Sequence, residues 1–408
     1  MPPQPVTYRR REFASFVSGR FLATMAMQAQ SVAIGWQIYD IARTPLALGL
    51  VGACQFVPMF LLTLPAGEIA DRLDQRRVYA AALLMQGVCA GLFLALSIFA
   101  PAEGWAYYAV LILFGAARGF AAPSGSSLLA FLVPPERLAR AIAFNSSAFT
   151  TAVIAGPALG GLLYGFGPYA TYSVCLAGFL ASAVLMAELG GRKLDRSAQG
   201  TASRLERVIE GVRFVRERGV VMGAISLDLF AVLLGGAVAL LPIYARDILH
   251  IGTFGLGILR SAPAFGAGLT ALALARWPVE RRTGMTMFAC VAIFGLATIA
   301  FGVSKSFTIS LIALAVTGAS DMVSVYIRSA LINFATPDPM RGRVGAVNML
   351  FIGASNELGE FESGLTAAWF GTVRAVVIGG IGTLIVVGAW IKLFPPLARV
   401  DRMSDVRA

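Results

Sequence analysis

The sequence is poor in charge, histidine and cysteine. Only 13% of its 408 residues are charged, against about 25% in soluble domains, and 57% are hydrophobic. A soluble globule keeps a large surface and cannot bury so much apolar side-chain area. One histidine and four cysteines scattered through apolar runs exclude a disulfide framework and a zinc site. We therefore expect neither a metal nor a cofactor.

The sequence also lacks the residues of an ATP-driven pump. None of its three lysines follows a glycine, so the Gly-x-x-x-x-Gly-Lys-Ser/Thr pattern is missing. A membrane enzyme needs a convergent cluster of nucleophiles or metal ligands, which the sequence does not offer. The net charge of +11 is spread over short loops and forms no continuous basic face, so nucleic acid is not an expected partner.

Long apolar runs recur from end to end, each long enough to cross about 30 Å of hydrocarbon. They predict an all-α membrane protein with twelve transmembrane helices. We expect an N-terminal six-helix bundle over 1–190, a cytoplasmic linker over 191–218 and a C-terminal six-helix bundle over 219–408. The predicted spans are 13–39, 46–69, 78–100, 105–133, 141–166, 168–190, 219–245, 254–275, 284–304, 307–334, 344–370 and 375–394.

The basic residues predict the orientation of these spans. With twelve spans, 25 of the 33 Lys and Arg residues fall on the side of the termini and only 4 on the opposite side. Positively charged loops stay in the cytoplasm. We therefore expect a multi-pass protein of the inner membrane with both termini in the cytoplasm.

The linker contains an amphipathic segment. Val208, Ile209, Val212 and Val215 recur at helical spacing, with charged residues largely on the other faces. This pattern predicts a helix that lies on the inner leaflet and joins the two bundles.

The two halves of the chain repeat at an offset of 203 residues. Gly115 aligns with Gly318, Pro134 with Pro337, and Asn145 with Asn348. Parallel repeats of this kind are known in secondary transporters, whose substrate site lies between the halves near the membrane midplane.

The loop after the second span carries a charged motif. It contains Gly67, Asp71, Arg72, Arg76 and Arg77, and it resembles the Gly-x-x-x-Asp-Arg-x-Gly-Arg-Arg loop of the major facilitator superfamily. Gln75 stands at the family's second glycine. The small residue lets two helices approach, and the charges can pair with helix ends to form a cytoplasmic gate. Ordinary positive-inside anchoring explains the arginines but not Gly67 and Asp71.

The fifth span contains a second motif of that superfamily. Gly156, Pro157, Gly160 and Gly161 resemble the Gly-Pro-x-x-Gly-Gly element of its antiporter branches. The resemblance favours export over uptake, while close helix packing is the plainer interpretation. Segments 35–40, 44–49 and 355–361 resemble the enterobactin-exporter-like branch. One fold serves many solutes, so the substrate does not follow.

Ionisable residues inside the spans are candidates for function, because they are costly in hydrocarbon. Arg118 aligns with Asp321 under the repeat, and we expect the two to face each other across a central cavity. Asp321 and Arg328 are seven residues apart on one helix, a distance of about 10 Å, so they can pair only through an intermediate or by snorkelling. Asp228 has no cation on its own helix. The alternative is a set of salt bridges that only fix packing. The predicted substrate and proton pathway comprises Gln28, Arg118, Asp228, Asp321, Arg328, Asn356 and Glu357.

These observations predict a secondary active transporter that exports a small organic molecule, siderophore-like or drug-like, by proton-coupled alternating access. Burial favours a protonated carboxyl group and a nearby guanidinium favours the charged form, so movement of an arginine switches the acid. The alternatives are a lipid or lysolipid flippase and a solute uptake permease on the same fold. We expect a monomer whose partners are its solute, protons and the bilayer.

Overall fold

The computed structural model describes residues 10–99, 104–190 and 204–406, and in these ranges the chain is almost entirely helical and has no strand. The α-helices are α1 (Arg10–Ala42), α2 (Pro45–Arg72), α3 (Gln75–Phe99), α4 (Gly104–Leu132), α5 (Pro135–Tyr164), α6 (Pro168–Ala187), α7 (Arg204–Glu217), α8 (Gly219–Gly235), α9 (Leu241–Ile243), α10 (Gly252–Arg276), α11 (Thr283–Val303), α12 (Phe307–Ala335), α13 (Arg341–Phe370), α14 (Thr372–Leu393) and α15 (Pro395–Ala398).

Ten helical segments among the described residues are long and apolar enough to cross a membrane. The helices α1 and α13, with 33 and 30 residues, fall outside this set. Polar residues such as Gln28 in α1 and Glu357 and Glu360 in α13 lower their mean hydropathy. The all-α membrane fold is therefore confirmed, and the count of twelve stays a prediction.

The chain divides into two compact units. The first is built mainly from α1–α6 and the second mainly from α7–α15 and the residues that follow. Residues 43–53, at the start of α2, belong to the second unit, and residues 253–257, at the start of α10, belong to the first. The predicted bundle boundaries at 190 and 219 stay a prediction.

The repeat seen in the sequence reappears as equivalent helix neighbours. In the first unit, α1 packs on α5 and α6, and α3 packs on α4 and α6. In the second unit, α8 packs on α13 and α14, and α11 packs on α12 and α14. Gly115 of α4 lies against the backbone of Gln55 in α2, and Gly318 of α12 lies against the backbone of Pro263 in α10. A Cβ at either glycine would collide with that backbone, so the two aligned glycines serve the same contact.

The seventh predicted span, 219–245, is present as Gly219–Ile248 among the segments that are long and apolar enough to cross a membrane, but its helix is interrupted. The helix α8 ends at Gly235, a 3₁₀ turn follows over Ala237–Leu240, and a π-helical turn covers Tyr244–Ile248. The adjacent residues Gly235 and Gly236 have low helix propensity, and Pro242 lacks the N–H that a continuous helix needs. The carbonyl of Gly236 receives a 2.9 Å hydrogen bond from the Ser363 hydroxyl of α13.

The linker helix α7 packs on protein. Its residues Val208, Val212 and Val215 join a core cluster with Val344 and Val347 of α13. Next to them, the carboxylate of α7's Glu210 pairs with the guanidinium of Arg343. The apolar face that we expected on the inner leaflet is therefore largely covered by α13, because valines on both helices interlock there. Ile209, on another face, stays exposed.

The C-terminal segment caps the start of α11. The backbone N–H groups of Thr283 and Gly284 donate to the carbonyls of Asp401 and Val400, each at 3.1 Å. The N–H of Arg282 donates to the Asp401 carboxylate at 2.9 Å. The first N–H groups of a helix have no partner within it, so the segment supplies these acceptors and places a negative charge at the positive helix end.

The same segment completes a hydrophobic core. Leu397, Val400 and Met403 are buried together with Phe288 of α11 and Leu331 of α12. Sequence patterning did not reveal this docking, because the segment is short and follows the last apolar run.

We expect Leu397→Ala to lower the free energy of unfolding by about 2–5 kcal/mol, because Leu397 is fully buried and truncation leaves a cavity. Leu393→Ala is the matched control. Its side chain is 66% exposed, so we expect a change within about 0.5 kcal/mol. Unfolding of both variants in the same detergent measures the difference, and equal losses would show that the segment is not docked.

Candidate functional site

A buried ion pair lies inside the second unit. The Asp228 carboxylate of α8 contacts the Arg328 guanidinium of α12, and their side chains are only 7% and 3% exposed. Arg328 is therefore the cation that the sequence left unassigned for Asp228. A buried charge is tolerated when it is paired. Each of the two charges therefore offsets the cost of burying the other.

Asp321 lies beside this pair. Asp228 and Arg328 are the charges that act on its carboxylate. Asp321 and Asp228 both line a small cavity of about 10 Å³. The other residues that line this cavity are Ala231, Val232, Val291, Phe294, Ser320 and Ser324.

Two small polar residues of this cavity were not found from the sequence. The Ser320 hydroxyl donates to the carbonyl of Val316 at 2.8 Å. The Ser324 hydroxyl is buried, with the side chain 1% exposed, and has no hydrogen-bond partner in the described part of the chain. Their spacing could have indicated this position, because Ser324 lies one helical turn after Asp321 and so on the same face of α12.

The helix α14 holds α8 in place around Asp228. The Thr383 hydroxyl of α14 donates to the Ala231 carbonyl at 3.2 Å, and the Trp390 indole N–H of the same helix donates to the Ser226 hydroxyl at 2.9 Å. Ser226 lies about half a turn before Asp228 and Ala231 about one turn after it. The two bonds thus tie the part of α8 that carries Asp228 to α14.

The predicted pathway residues Gln28 and Arg118 lie in the first unit. The Arg118 guanidinium donates to the side-chain carbonyl of Gln55 at 3.2 Å, and the Gln28 side chain is half-buried beside Gly156. Arg118 thus contacts a polar group of α2 within its own unit. That it faces Asp321 across a cavity stays a prediction.

Asn356 and Glu357 lie on α13 and do not line the cavity beside Asp321. The Asn356 amide is exposed and donates to the carbonyl of Ile352 on its own helix at 3.0 Å. The carbonyl of Glu357 lies close to Gly52 at the start of α2, where a Cβ would be 3.1 Å away. The predicted pathway residues of α8 and α12 therefore lie together around the ion pair. Asn356 and Glu357 lie elsewhere in the second unit.

The gate motif is described in part. Gly67 is buried in α2, and the side chains of Asp71 and Arg72 lie outside what the structure describes. Arg76 pairs with Asp74 in the loop and donates to the carbonyl of Leu189 after α6. Its described partners are thus a loop acid and a helix end.

The rest of the loop explains the departure from the family pattern. Counted along the family's pattern from Gly67 and Asp71, the second glycine falls on Asp74 and not on Gln75. Asp74 lies in the loop, Gln75 begins α3, and both are absent from the residues with positive φ. A turn with negative φ needs no glycine, so this substitution does not strain the loop. Arg77 is exposed.

The motif in the fifth span makes close packing contacts. A Cβ at Gly156 would lie 2.6 Å from the Cβ of Gln28, and one at Gly160 would lie 2.5 Å from the carbonyl oxygen of Ala29. Gly161 instead meets Gly257 at the start of α10, whose own Cβ would strike the carbonyl of Pro157. The plainer interpretation of this element, close helix packing, is therefore confirmed, and its link to antiport stays a prediction.

The segment 35–40 builds the interior of the first unit. The Gln37 amide donates to the Tyr107 hydroxyl at 2.6 Å and to the Ser97 hydroxyl at 3.1 Å. Its carbonyl oxygen accepts a 2.7 Å bond from the Tyr172 hydroxyl. The amide is thus fully used in joining α1 to α3, α4 and α6.

Two repeated sets of long apolar helices, with a cluster of ionisable side chains inside one of them, define a membrane transport protein. The sequence profile of the Major Facilitator Superfamily matches residues 16–360, and the chain belongs to that superfamily. It is therefore a multi-pass membrane protein of a transporter family.

Similar proteins extend over nearly the whole chain. The enterobactin exporter EntS of Citrobacter koseri is 25% identical over 386 residues, which cover 93% of this chain and 91% of that protein. The enterobactin exporter EntS of Escherichia coli O81 (strain ED1a) is 26% identical over 379 residues, covering 92% and 89%.

Solved structures confirm the fold. A point mutant of the nucleoside transporter NupG has a TM-score of 0.75 at 12% identity, and the match covers 94% of this chain and 100% of that chain. A bacterial homologue of the human lysosomal transporter Spinster has a TM-score of 0.74 at 14% identity, with coverage of 96% and 97%. At these identities the likeness concerns the fold alone.

We expect Arg328→Met to lower the free energy of unfolding by about 3–5 kcal/mol, because it leaves the Asp228 carboxylate buried without a counter-charge. The double variant Asp228→Asn/Arg328→Met should recover most of that loss. Arg374→Met, at an exposed position, is the control. Unfolding in detergent measures all three, and an unchanged stability of Arg328→Met would contradict a buried pair.

We expect Gly160→Ala to reduce the yield of folded protein sharply, because the added Cβ meets backbone atoms of Ala29 that cannot rotate away. Gly388→Ala in α14 is the control, since nothing lies within 4 Å of its Cβ position. Size-exclusion chromatography of membrane extracts compares the two. Equal monodisperse yields would mean that α1 and α5 are not in this close contact.

Proposed function

We propose that this protein is a secondary active transporter that exports a small organic molecule across the inner membrane by proton-coupled alternating access. The observation that carries the proposal is the cluster of ionisable side chains Asp228, Arg328 and Asp321 inside the apolar second unit. When all three are ionised, two carboxylates and one guanidinium have an excess negative charge, which a proton neutralises. Such a cluster is costly in a membrane and is a candidate functional site by default.

Export of a siderophore-like or drug-like solute is supported by two observations. The relatives named as enterobactin exporters align over more than nine-tenths of the chain. The Gly156–Gly161 element resembles that of antiporter branches. At about 25% identity the substrate can differ, so the proposal names a class of solute and not enterobactin itself.

In the proposed cycle, protons enter from outside and neutralise Asp228 or Asp321 while the solute leaves. Gln28, Arg118, Asn356 and Glu357 are proposed to contact the solute as it passes. The motif from Gly67 to Arg77 is proposed to gate the cytoplasmic side. Both termini are proposed to be cytoplasmic, since 25 of the 33 basic residues then face the cytoplasm, and the protein is proposed to act as a monomer.

Proton movement in liposomes tests this proposal. The purified protein is reconstituted with a pH-sensitive dye inside, and a catecholate siderophore, a lipophilic cation, a sugar and a lysolipid are added in turn. We expect one class of solute to drive proton movement opposite to its own direction. Asp321→Asn and Asp228→Asn should each abolish it, because the cluster then cannot cycle one excess charge, whereas Asp338→Asn at an exposed carboxylate should not.

Other outcomes would replace the proposal. Proton movement in the same direction as the solute would make the protein an uptake permease. Lysolipid movement without proton movement would make it a flippase. Solute-driven proton movement that persists unchanged in both Asp228→Asn and Asp321→Asn would remove the cluster from the coupling step.

A further inference from the structure

The two carboxylates of the buried cluster are not equivalent. Asp228 is held by Arg328 in a nearly solvent-free ion pair. Asp321 makes no hydrogen bond or ion pair with any residue that the structure describes, although Asp228 and Arg328 both act on it. Protonation therefore has different consequences at the two sites.

The cost of a net charge in an apolar interior limits how many protons the cluster can hold. With all groups ionised, two carboxylates and one guanidinium leave one net negative charge. One proton makes the cluster neutral, and a second would leave an unbalanced positive charge in an apolar interior, which is costly. The cluster is thus suited to one proton.

The position of that proton follows from the ion pair. Protonating Asp228 would break its pair and leave Arg328 buried alone. Protonating Asp321 breaks no bond to a described residue and leaves the pair intact. The charged groups of the neighbouring helices do not change this balance. The helix α8 brings only Asp228, and α11 lines the cavity with the apolar residues Val291 and Phe294, although it also carries the thiol Cys290. The helix α10, which contacts α12 at Gly318, carries Arg260, and Arg260 is not among the charges that act on Asp321.

The cavity beside Asp321 has room for one water molecule. Its volume is about 10 Å³, close to the smallest space that admits a water. The Ser324 hydroxyl lines it and is 1% exposed without a hydrogen-bond partner in the described chain. A buried water needs two or more polar partners, and Ser324 with the two carboxylates supplies them.

We propose that Asp321 is the single proton-carrying group of this transporter, that Asp228 and Arg328 form a fixed ion pair of no net charge that does not titrate in the cycle, and that one water joins Asp321 to Ser324 and Asp228. The proposal rests on the proposed proton coupling and narrows it to one residue and one proton for each turnover. Asp228 is then a positioning residue, since it acts by keeping Arg328 away from Asp321.

Variants of the ion pair separate these roles. In Asp228→Asn, Arg328 loses its partner and its charge holds Asp321 ionised, so solute-driven proton movement should be lost. In Asp228→Asn/Arg328→Met, Asp321 again lies in a neutral surrounding, and proton movement should return. In Asp321→Asn, and in Asp321→Asn combined with the double variant, it should stay absent. A merely structural role of the pair predicts no such rescue.

Infrared difference spectroscopy of the purified protein between low and high pH gives a readout that does not need transport. We expect the stretching band of one buried protonated carboxylic acid, present in the wild type and in Asp228→Asn/Arg328→Met and absent in Asp321→Asn. Ser324→Ala should shift the frequency of this band, because the acid loses the water that Ser324 helps to hold. An unshifted band would overturn the bridging water.

The outcomes of the two experiments are distinguishable. A band that survives Asp321→Asn but disappears in Asp228→Asn would overturn the assignment of the proton to Asp321. A ratio of two protons to each solute would overturn the single-proton cluster. The band on Asp321 without solute-driven proton movement in liposomes would overturn the proposed function while supporting Asp321 as the group that holds the proton.

Discussion

A bilayer offers no water to the backbone, so every peptide group in its interior must find a partner within the protein. This constraint explains the almost complete helicity of the described chain and also the places where helices end. Where α8 stops at Gly235, the freed carbonyl of Gly236 is bound by Ser363. Where α11 begins, the C-terminal segment supplies the carboxylate and carbonyls that its first N–H groups need. Both exceptions to a regular helix are thus supported by side chains or segments far away in the sequence.

Helices that satisfy their own backbones still have to pack, and lipid competes with apolar side chains for their surfaces. Small residues solve this problem, because they let backbones approach and gain dispersion contacts that lipid cannot match. Gly115 and Gly318 do so at equivalent places in the two units, and Gly156 and Gly160 join α5 to α1. The repeat is therefore more than a similarity of sequence, because aligned glycines make equivalent close helix contacts in both units.

The two units nevertheless differ in their interiors. The first is joined by the uncharged network of Gln37, Tyr107 and Tyr172. The second contains the pair of Asp228 and Arg328 with Asp321 beside it. A neutral network can be fully satisfied and stay unchanged, whereas a cluster of two carboxyl groups and one guanidinium can take up a proton. This difference is the reason why the proposed proton site is assigned to the second unit.

The sequence by itself determined the class of fold, the repeat, the predicted orientation and the short set of intramembrane charges. These follow from local quantities, namely hydropathy over about 20 residues, charge in loops and the spacing of rare residues such as Pro and Gly. Only the tertiary structure decided that Asp228 pairs with Arg328, 100 residues later in the chain, that Ser324 faces a cavity, that the seventh span is broken, and that α7 and the C-terminal segment dock on the second unit. These features depend on the rotation and height of one helix against another. That register is set by many packing contacts at once and leaves no periodic signal in any single stretch of sequence.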